Sequence, residues 1–520
     1  MSAARPWPEL APPLPAPSFT ALLARLRDEA PSAPALSWRD PTLAGPGWQT
    51  LDRAALADQV STCAAHLAQR HGLRPSERVA WLGLNHSAVV VLLFALARLG
   101  AVLVPLNHRL SPAEWQAVLA DCTPRLLVHD EAFAEAAAQL ASDRTAALAW
   151  STVCDGASDA PPPPADAPEA PLLLVYTSGT TGRPKAAVHT QANLLSNMAI
   201  AAQVQGLTTT DVVLTVLPLF HVGGLCIQTL PALSVGAHVR LFTRFDATAT
   251  LHSIAHDRPT LTLQVPATLQ ALTAHADWAA TDLSSLRAVW AGSSLLPPAP
   301  LAAFLARGVP VCNVYGSTET GPFSIALPPA QVADHPESCG WPVPGVDVQL
   351  CDPQGAPVAP GAAGEIWVRG PNVVARYWPA QAATDAEGFF HSGDLARQAP
   401  DGSFTVVGRA KDMIISGGEN IYPAEIEHLI AQHPAVAECS VVGQADARWG
   451  EVAVAVVVLR DAGAGADDWP TPLQDWLDGR LARYKWPRRW LRLDALPRTA
   501  LGKVKKAELT ELLRADTPDI

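Results

Sequence analysis

A hydroxyl- and glycine-rich stretch from Tyr176 to Lys185 is the part of the chain whose residue types point most clearly to chemistry. It reads Tyr-Thr-Ser-Gly-Thr-Thr-Gly-Arg-Pro-Lys and follows an apolar run, Leu172 to Val175, that predicts a buried strand. The glycines allow backbone N–H groups to turn toward one point, while the hydroxyls and Lys185 add donors and a positive charge. The stretch is therefore typical of a phosphate-binding loop. A mobile surface loop is the alternative.

The spacing of this stretch excludes a Walker phosphate loop. That motif requires four residues between its glycines and a lysine directly after the second glycine. Here Gly179 and Gly182 are three positions apart, and Arg183 and Pro184 precede Lys185.

A second cluster runs from Asn313 to Gly321, behind the apolar segment Val309 to Cys312. Tyr315 is suited to stacking on a purine. Glu319 is suited to Mg²⁺, because magnesium takes oxygen ligands and is commonly bound by one or two carboxylates plus substrate phosphates. A strand-to-helix turn in which Glu319 caps a helix is the alternative.

Two further loops present single charged residues. Asp394 ends the run Gly388 to Asp394 and can offer both carboxylate oxygens to a ribose diol, and Arg409 can reach the same nucleotide. Taken separately, such residues in turns are more typical of solvated charges. Lys503 ends the loop Leu496 to Lys503, before a basic helix, where many lysines merely extend into solvent.

The elements that must position these groups differ along the chain. Its 520 residues predict two to four folding units, and short strands alternate with helices through the first 300 residues. A buried helix is expected over Ala88 to Ala97, ending near Gly100, with a strand from Ala101 to Pro105. Pro161 to Pro171 predicts an exposed linker.

A change of pattern near residue 340 predicts a small β-subdomain, and another near Gly408 predicts a compact α+β domain. Its predicted elements are a helix over Pro423–Gln432, strands over Glu438–Val442 and Val452–Leu459, a helix over Leu473–Leu481 and a last helix from Val504. The predicted fold class is α/β, with two βαβ-type subdomains and the β-subdomain in a large domain (1–409), a short connection (410–412) and a mobile α+β domain (413–520).

Composition limits the classes of function. The net charge of −12 argues against nucleic-acid binding. The eight scattered cysteines indicate reduced thiols, the N-terminus lacks a signal-peptide pattern, and the longest apolar run is too short to cross a bilayer. We therefore expect a cytoplasmic enzyme without a transmembrane segment, of unknown oligomeric state.

Together and in this order, the four elements resemble the adenylate-forming superfamily, which includes acyl- and aryl-CoA ligases, peptide adenylation domains and firefly luciferase. Ser-Gly-Thr-Thr-Gly-x-Pro-Lys is similar to its phosphate loop and Tyr-Gly-x-Thr-Glu to its adenine and Mg²⁺ motif. Gly-Asp-Leu with Gly-Arg-x-Lys-Asp is similar to its ribose site and hinge, and the final Gly-Lys to its catalytic lysine. The resemblance spans residues 20 to 512 and is strongest to chlorobenzoate-type CoA ligases.

The resemblance implies a two-step reaction with ATP, Mg²⁺ and coenzyme A. A small carboxylic acid attacks the α-phosphate, giving acyl-AMP and pyrophosphate, and a thiolate then displaces AMP. Lys503 is the implied catalytic lysine, with Thr318 on the α-phosphate, Glu319 on the metal and His221 at the acid. The implied ATP and AMP contacts are Thr177, Ser178, Gly179, Thr180, Thr181, Gly182, Lys185, Gly292, Ser293, Ser294, Asn313, Tyr315, Gly316, Ser317, Asp394 and Arg409.

The resemblance also implies an acceptor site and a hinge. Lys411 is the residue about which the small domain turns between the two steps. Coenzyme A is expected at Gly417, Gly418, Trp449 and Arg488, with Arg489 as a further phosphate contact. Trp486 stands where some relatives carry a basic residue.

The implied acid pocket is apolar, being lined by His221, Val222, Gly223, Ala291 and Gly316, with Val265, Ala267 and Phe323 nearby. Peptide adenylation domains place an aspartate where this chain has His221, so an amino acid is disfavoured. The pocket favours an aromatic or medium-chain monocarboxylic acid over a diacid, which needs a second cation. Arg376 departs from the glycine that relatives usually carry.

Two other functions remain open. An acyl-AMP ligase that loads a carrier protein would carry the same motifs. A degenerate adenylate-binding or interaction protein is disfavoured because Lys185, Glu319, Asp394, Arg409 and Lys503 are all present.

Overall fold

A computed structural model describes residues 6–42, 47–153, 161–165, 167–177, 185–292, 296–416, 419–446, 449–460, 469–499 and 502–515. The helices in these ranges are α1 (Phe19–Glu29), α2 (Arg53–Gln69), α3 (Ser87–Leu99), α4 (Pro112–Cys122), α5 (Ala134–Leu140), α6 (Trp150–Val153), α7 (Gln191–Gln205), α8 (Leu230–Ser234), α9 (Ala247–His256), α10 (Pro266–Thr273), α11 (Pro298–Leu305), α12 (Pro423–Ala431), α13 (Pro470–Leu477) and α14 (Lys506–Ala515).

The strands of the same ranges are β1 (Pro34–Arg39), β2 (Gln49–Asp52), β3 (Arg78–Leu82), β4 (Val102–Pro105), β5 (Leu126–His129), β6 (Ala146–Ala149), β7 (Pro171–Thr177), β8 (Lys185–Thr190), β9 (Val212–Thr215), β10 (His238–Phe242), β11 (Leu261–Gln264), β12 (Ala288–Ala291), β13 (Val311–Tyr315), β14 (Ile325–Ala326), β15 (Trp341–Pro342), β16 (Asp347–Cys351), β17 (Ala363–Arg369), β18 (Arg376–Tyr377), β19 (Gln381–Ala382), β20 (Phe390–Gln398), β21 (Phe404–Arg409), β22 (Ile414–Ser416), β23 (Glu419–Ile421), β24 (Val436–Asp446), β25 (Gly450–Leu459) and β26 (Arg489–Arg492).

Two large, mostly parallel sheets are built from strands β1 to β15 together with the short strands β18 and β19. One has the order β15-β14-β13-β12-β11-β9-β10-β1-β2 and the other β19-β18-β8-β7-β4-β3-β5-β6. Strands joined through helices run parallel, which is the arrangement expected where strands and helices alternate along the chain. The predicted pair of βαβ-type subdomains is therefore confirmed.

An almost entirely apolar helix, α3, lies in the core between these sheets. Its sequence, SAVVVLLFALARL, leaves only Arg98 outside the buried class, because an apolar side chain occupies almost every face. The His86 Nδ1 accepts the N–H of Ala88 at the start, and Gly100, with φ of 66°, ends the helix. Buried residues of α1, α2, α3 and both sheets belong to one apolar cluster.

Two smaller sheets follow. The antiparallel order β16-β17-β20-β21 confirms the predicted β-subdomain, and β23-β22-β25-β24 with β26 beside β25 forms the last unit. Helices α12, α13 and α14 bury apolar side chains against this sheet, in two clusters of their own. The predicted α+β C-terminal domain is confirmed.

Most predicted elements hold, with differences at their ends. The helix expected to reach Leu481 ends at Leu477, since Asp478 leaves the helical region and Gly479 has φ of 72°. The last helix starts at Lys506 rather than Val504, because Val504 pairs with Arg498 across a tight turn. Pro171 starts β7 and so does not belong to a linker.

The expectations of no transmembrane segment and of reduced thiols concern the helices and the cysteines of the described ranges. None of the helices in the described ranges is long and apolar enough to span a bilayer. Cys122, Cys226, Cys312, Cys339 and Cys351 are buried free thiols, and Cys439 is a half-buried one.

Candidate active site

The end of β13 and the turn after it bring together several predicted residues. Asn313 and Tyr315 lie on β13, while Thr318 and Glu319 lie in a single 3₁₀ turn that closes at Gly321, with φ of 93°. The turn leads into β14 rather than into an α-helix, so the helix-capping alternative for Glu319 does not hold.

Two glycines at this edge have no space for a side chain. A Cβ on Gly316 would lie 1.6 Å from the carbonyl oxygen of Pro322, and one on Gly292 would lie 2.6 Å from the carbonyl oxygen of Val314. The backbone therefore approaches closely at both predicted nucleotide positions. Between them, the buried Ser317 hydroxyl has no hydrogen-bond partner among the described residues.

Asp394 is held from two sides. Its strand β20 pairs with β21 so that Asp394 lies directly opposite Arg409, whereas isolated turns were predicted. The Tyr315 hydroxyl donates to Asp394 Oδ2 at 2.9 Å, and Arg409 Nε lies 2.9 Å from Asp394 Oδ1. Both carboxylate oxygens are thus engaged within the protein.

Burial dominates the titration of this cluster. It raises the pKa of Asp394, although Arg409, the Tyr315 hydroxyl and Lys503 act in the opposite direction. The pKa of Tyr315 is raised well above its ordinary value, first by burial and then by the charge of Asp394. Tyr315 is therefore a neutral phenol that donates to a carboxylate.

Glu319 and Lys185 share a neighbour that the sequence motifs did not indicate. The Tyr377 hydroxyl donates to Glu319 Oε1 at 2.9 Å, and Lys185 Nζ lies 5.3 Å from the centre of the Tyr377 ring. The pairing of Tyr377 with Ala187 between β18 and β8 helps to place the ring there, and short-range spacing carries no signal of it.

Lys503, from the C-terminal unit, lies among charges of the larger part of the chain. Its pKa is lowered, first by desolvation and then by Arg409, while Asp394 and Glu319 raise it. The residue retains an accessible surface, although the neighbouring parts of the chain desolvate its ammonium. The structure therefore brings together Lys503, Glu319, Asp394 and Arg409.

A tight turn presents Lys503. The N–H of Thr499 donates to Lys503 O at 2.7 Å, and Gly502 has φ of 82°. Arg498 Nη2 lies 2.6 Å from Glu438 Oε2, which fixes the base of the turn to β24. The C-terminal unit also contacts the rest of the chain where His428 Nε2 lies 3.2 Å from Glu337 Oε1.

His221 is a neutral imidazole near Lys503. Burial, and then the charge of Lys503, lower its pKa to about 4. Its Nδ1 lies 3.0 Å from the N–H of Gly223 and accepts it, so the ring proton is on Nε2. His221 therefore adds a hydrogen-bond donor to the site without adding a charge.

The predicted acid pocket begins with a π-helix, Gly223–Thr229, a type of turn that is frequent at functional sites. Gly224 permits it, since a Cβ there would lie 2.3 Å from the carbonyl oxygen of Pro218. Val222, Ala291 and Phe323 are buried, Val265 is half-buried, and Ala267 is exposed on α10.

The predicted coenzyme A residues that can be described lie together. The Arg488 guanidinium is 4.4 Å from the centre of the Trp449 ring, whereas Arg489 Nη1 donates to Gln444 Oε1 at 2.6 Å. Trp486 Nε1 donates to Leu481 O at 2.9 Å. The predicted hinge residue Lys411 is exposed in a short 3₁₀ helix between β21 and β22.

Several predicted residues lie outside the described part of the chain, although the ends of the phosphate stretch are within it. Thr177 and Lys185 pair directly between β7 and β8. The predicted residues outside the described ranges are Ser178, Gly179, Thr180, Thr181, Gly182, Ser293, Ser294, Gly417 and Gly418.

Sequence comparison identifies the family. The profile of the AMP-binding enzyme family matches residues 24–378, and that of the AMP-binding enzyme C-terminal domain matches residues 425–503. The chain is 43% identical to an indoleacetate–CoA ligase of Aromatoleum aromaticum over 486 residues, covering 90% of this chain and 94% of the relative. It is 42% identical to a feruloyl-CoA synthase of Amycolatopsis sp over 466 residues, covering 89% and 94%.

Solved structures agree with this assignment. The o-succinylbenzoate–CoA synthetase of Bacillus subtilis in complex with its acyl-adenylate superposes with a TM-score of 0.83 at 31% identity, covering 94% of this chain and 97% of that one. The same synthetase with ATP and a magnesium ion gives a TM-score of 0.82, covering 95% and 99%. The chain belongs to the AMP-binding enzyme family.

Proposed function

We propose that the protein is an ATP-dependent carboxylate–CoA ligase that converts an aromatic monocarboxylic acid to its acyl-AMP and then to its CoA thioester. The observation that carries this proposal is the position of Lys503 among Glu319, Asp394 and Arg409. Adenylation brings an anionic acid against an anionic phosphate, so positioned cations contribute most of the catalysis.

The side chains present fit Mg²⁺ and ATP. Glu319 supplies the hard oxygen that magnesium prefers, and Lys185 and Lys503 supply cations for phosphate oxygens. The close backbone approach at Gly292 and Gly316 is made to other parts of the chain and fixes the backbone at two positions expected at the nucleotide. The buried Ser317 hydroxyl offers an unused polar group. Bound Mg²⁺ would neutralise phosphate charge during the transfer.

The adenylation step requires no proton transfer. The acid oxygen bonds to the α-phosphorus while the bond to pyrophosphate breaks. The acid enters as a carboxylate anion, and pyrophosphate leaves with the electron pair and the negative charge. Lys503 therefore acts as a fixed cation between the acid and the α-phosphate, where Thr318 is a second donor. Lys185 and Thr177 hold the departing pyrophosphate, and Asp394 and Arg409 hold the ribose side.

The second step uses the other face of the C-terminal unit. Lys411 is the hinge about which that unit turns, and Trp449 and Arg488 then hold coenzyme A. The thiolate attacks the acyl carbon and AMP leaves with the electron pair. The contact between Trp449 and Arg488 supports a preformed site for a phosphorylated, purine-bearing ligand.

The acid is proposed to be aromatic because the pocket residues Val222, Ala291 and Phe323 are apolar and buried. The named substrates of the two sequence relatives, indoleacetate and ferulate, support this choice. A neutral His221 adds no second cation to the pocket, which disfavours a diacid. Buried free thiols are the support for a cytoplasmic location.

A two-stage assay tests the proposal. Pyrophosphate release with Mg·ATP is measured first without coenzyme A over indole-3-acetate, ferulate, benzoates, C4 to C16 fatty acids and dicarboxylates. Coenzyme A is then added and AMP and thioester are measured. We expect aromatic monoacids to be turned over fastest. Adenylation without discharge by coenzyme A would favour the carrier-protein ligase, and no pyrophosphate release with any acid would favour a non-catalytic binding protein.

A further inference from the structure

Tyr377 joins two parts of the proposed site that lie on different sheets. Glu319 follows β13 of the nine-stranded sheet, and Lys185 starts β8 of the eight-stranded sheet. The Tyr377 hydroxyl donates to Glu319 Oε1 at 2.9 Å, and its ring centre is 5.3 Å from Lys185 Nζ. One side chain thus contacts both the carboxylate proposed for the metal and the lysine proposed for pyrophosphate.

The chain around Tyr377 is fixed to both sheets. On the Glu319 side, Asn372 Nδ2 donates to Phe323 O at 2.8 Å, and the N–H of Val374 donates to Glu319 O at 2.8 Å. On the Lys185 side, the N–H of Trp378 donates to Ala186 O at 2.8 Å. The segment 372–378 is therefore a bridge between the two sheets, and Tyr377 lies near its end.

The chemistry of the side chain suits this position. A phenol hydroxyl, whose ordinary pKa is about 10, keeps its proton at neutral pH and donates to the Glu319 carboxylate. A donated hydrogen bond fixes the plane of a carboxylate, and partners of this kind commonly orient metal ligands. The ring face attracts an ammonium group, which holds Lys185 on the same side.

We propose that Tyr377 is a positioning residue that holds Glu319 and Lys185 in one geometry, so that Mg²⁺ and the β- and γ-phosphates of ATP are bound as a unit. The proposal rests on the proposed role of Glu319 as the metal ligand. Tyr377 acts through Glu319 and Lys185 and does not itself touch the reacting atoms.

Isothermal titration of ATP, with excess Mg²⁺ and separately in EDTA, tests the proposal without turnover. The ratio of the two dissociation constants is the gain in affinity that the metal provides. Tyr377→Phe removes one oxygen and keeps the ring, so we expect this gain to fall about tenfold, the size of one hydrogen bond to a charged group, while ATP affinity in EDTA is unchanged. Tyr377→Leu also removes the ring beneath Lys185 and is expected to weaken ATP binding in EDTA as well.

Tyr484→Phe is the control for losing a tyrosine hydroxyl. Its ring also lies near a lysine, with Lys485 Nζ 5.7 Å from the ring centre, but Tyr484 is 45% exposed and belongs to the C-terminal unit. We expect the metal-dependent gain of Tyr484→Phe to equal that of the wild-type chain. Melting temperatures measured without ATP show whether each variant is folded.

A double-mutant cycle separates coupling from general disorder. In Glu319→Gln the metal-dependent gain is already lost, so adding Tyr377→Phe is expected to change it no further. The proposal would be overturned if Tyr377→Phe kept the metal-dependent gain, including the case in which ATP affinity fell equally with Mg²⁺ and in EDTA. It would also be overturned if the losses of the two single variants were additive in the double variant. A wild-type chain whose ATP affinity does not depend on Mg²⁺ would instead contradict the function proposed for Glu319.

Discussion

Replacing Arg409 with methionine should make the stability of the protein depend on pH in a defined direction. Arg409 and Asp394 form an ion pair at 2.9 Å in which the arginine side chain is 48% exposed but the aspartate only 15%. Removing the arginine leaves a buried carboxylate with one charge-stabilising neighbour fewer. We expect a loss of about 1–2 kcal/mol at pH 8, between the values typical of surface and of buried pairs.

The sign of the pH effect follows from the pKa of Asp394. Burial raises that pKa and Arg409 lowers it, so Arg409→Met raises it further. When the pKa of a carboxyl is raised in the folded state, the group adds to the free energy of unfolding at low pH. This contribution is lost as the pH rises through the folded-state pKa. The variant and the wild-type chain should therefore be closest in stability below the pKa of Asp394 and differ most above it.

Arg369→Met provides a matched control in the same β-subdomain. Its pair with Asp347 has a similar distance, 2.8 Å, and the same arginine exposure, 48%, but Asp347 is 43% exposed. Scanning calorimetry from pH 4.5 to 8 should show a melting temperature about 1–2 °C lower for Arg409→Met at pH 8, and a much smaller change for Arg369→Met. Equal, pH-independent losses in both variants would show that the burial of Asp394 does not set the effect.

Three further predictions test other parts of the site. Gly316→Ala should abolish pyrophosphate release, because its Cβ would lie 1.6 Å from Pro322 O. Gly47→Ala should retain it, because a Cβ on Gly47 would have no atom within 4 Å. An active Gly316→Ala variant would contradict the close approach of the backbone at Gly316. His221, with a pKa of about 4, should show ¹⁵N shifts of a neutral ring from pH 5.5 to 8, and a titration within that range would contradict its burial. Trp449→Ala should raise the KM for coenzyme A while sparing pyrophosphate release, and equal effects on both steps would argue against a role in acceptor binding.

Sequence reasoning succeeded where a pattern is local. The apolar run before Gly100 predicts α3, because apolar side chains on almost every face of the helix are buried, and Gly100 ends the helix. The strand before the phosphate stretch is also local, being specified by four consecutive apolar residues within β7. Both follow from short-range periodicity and backbone preference.

The pairing of distant residues could be predicted only in part. Asp394 and Arg409 were expected to meet, but their direct opposition depends on the register of β20 and β21, which no turn motif specifies. Tyr377 was not predicted in the site, because its hydrogen bond with Glu319 spans 58 residues and two sheets. Such contacts arise from tertiary packing, for which the motifs carry no signal.

The start of the last helix shows how local and tertiary preferences compete. Val504 was predicted to be helical from its position in a helix-forming sequence, yet it pairs with Arg498. That pairing closes the turn in which Lys503 lies, and the helix therefore starts two residues later, at Lys506. Helix propensity is a weak preference that such packing overrides.

The central claim is that Lys503 serves adenylation and not thioester formation. Lys503→Ala should reduce acid-dependent pyrophosphate release by at least about 10²-fold, because a cation is lost where charge develops. The same variant should form thioester at nearly the wild-type rate from a supplied acyl-AMP of the best aromatic acid and coenzyme A. The neighbouring Lys505, whose Nζ lies 2.6 Å from Glu508 Oε1 on the surface, is the control, and Lys505→Ala should preserve both rates. We expect Lys503→Ala to lose adenylation and keep thioester formation, and equal loss of both half-reactions would rule out the role proposed for Lys503.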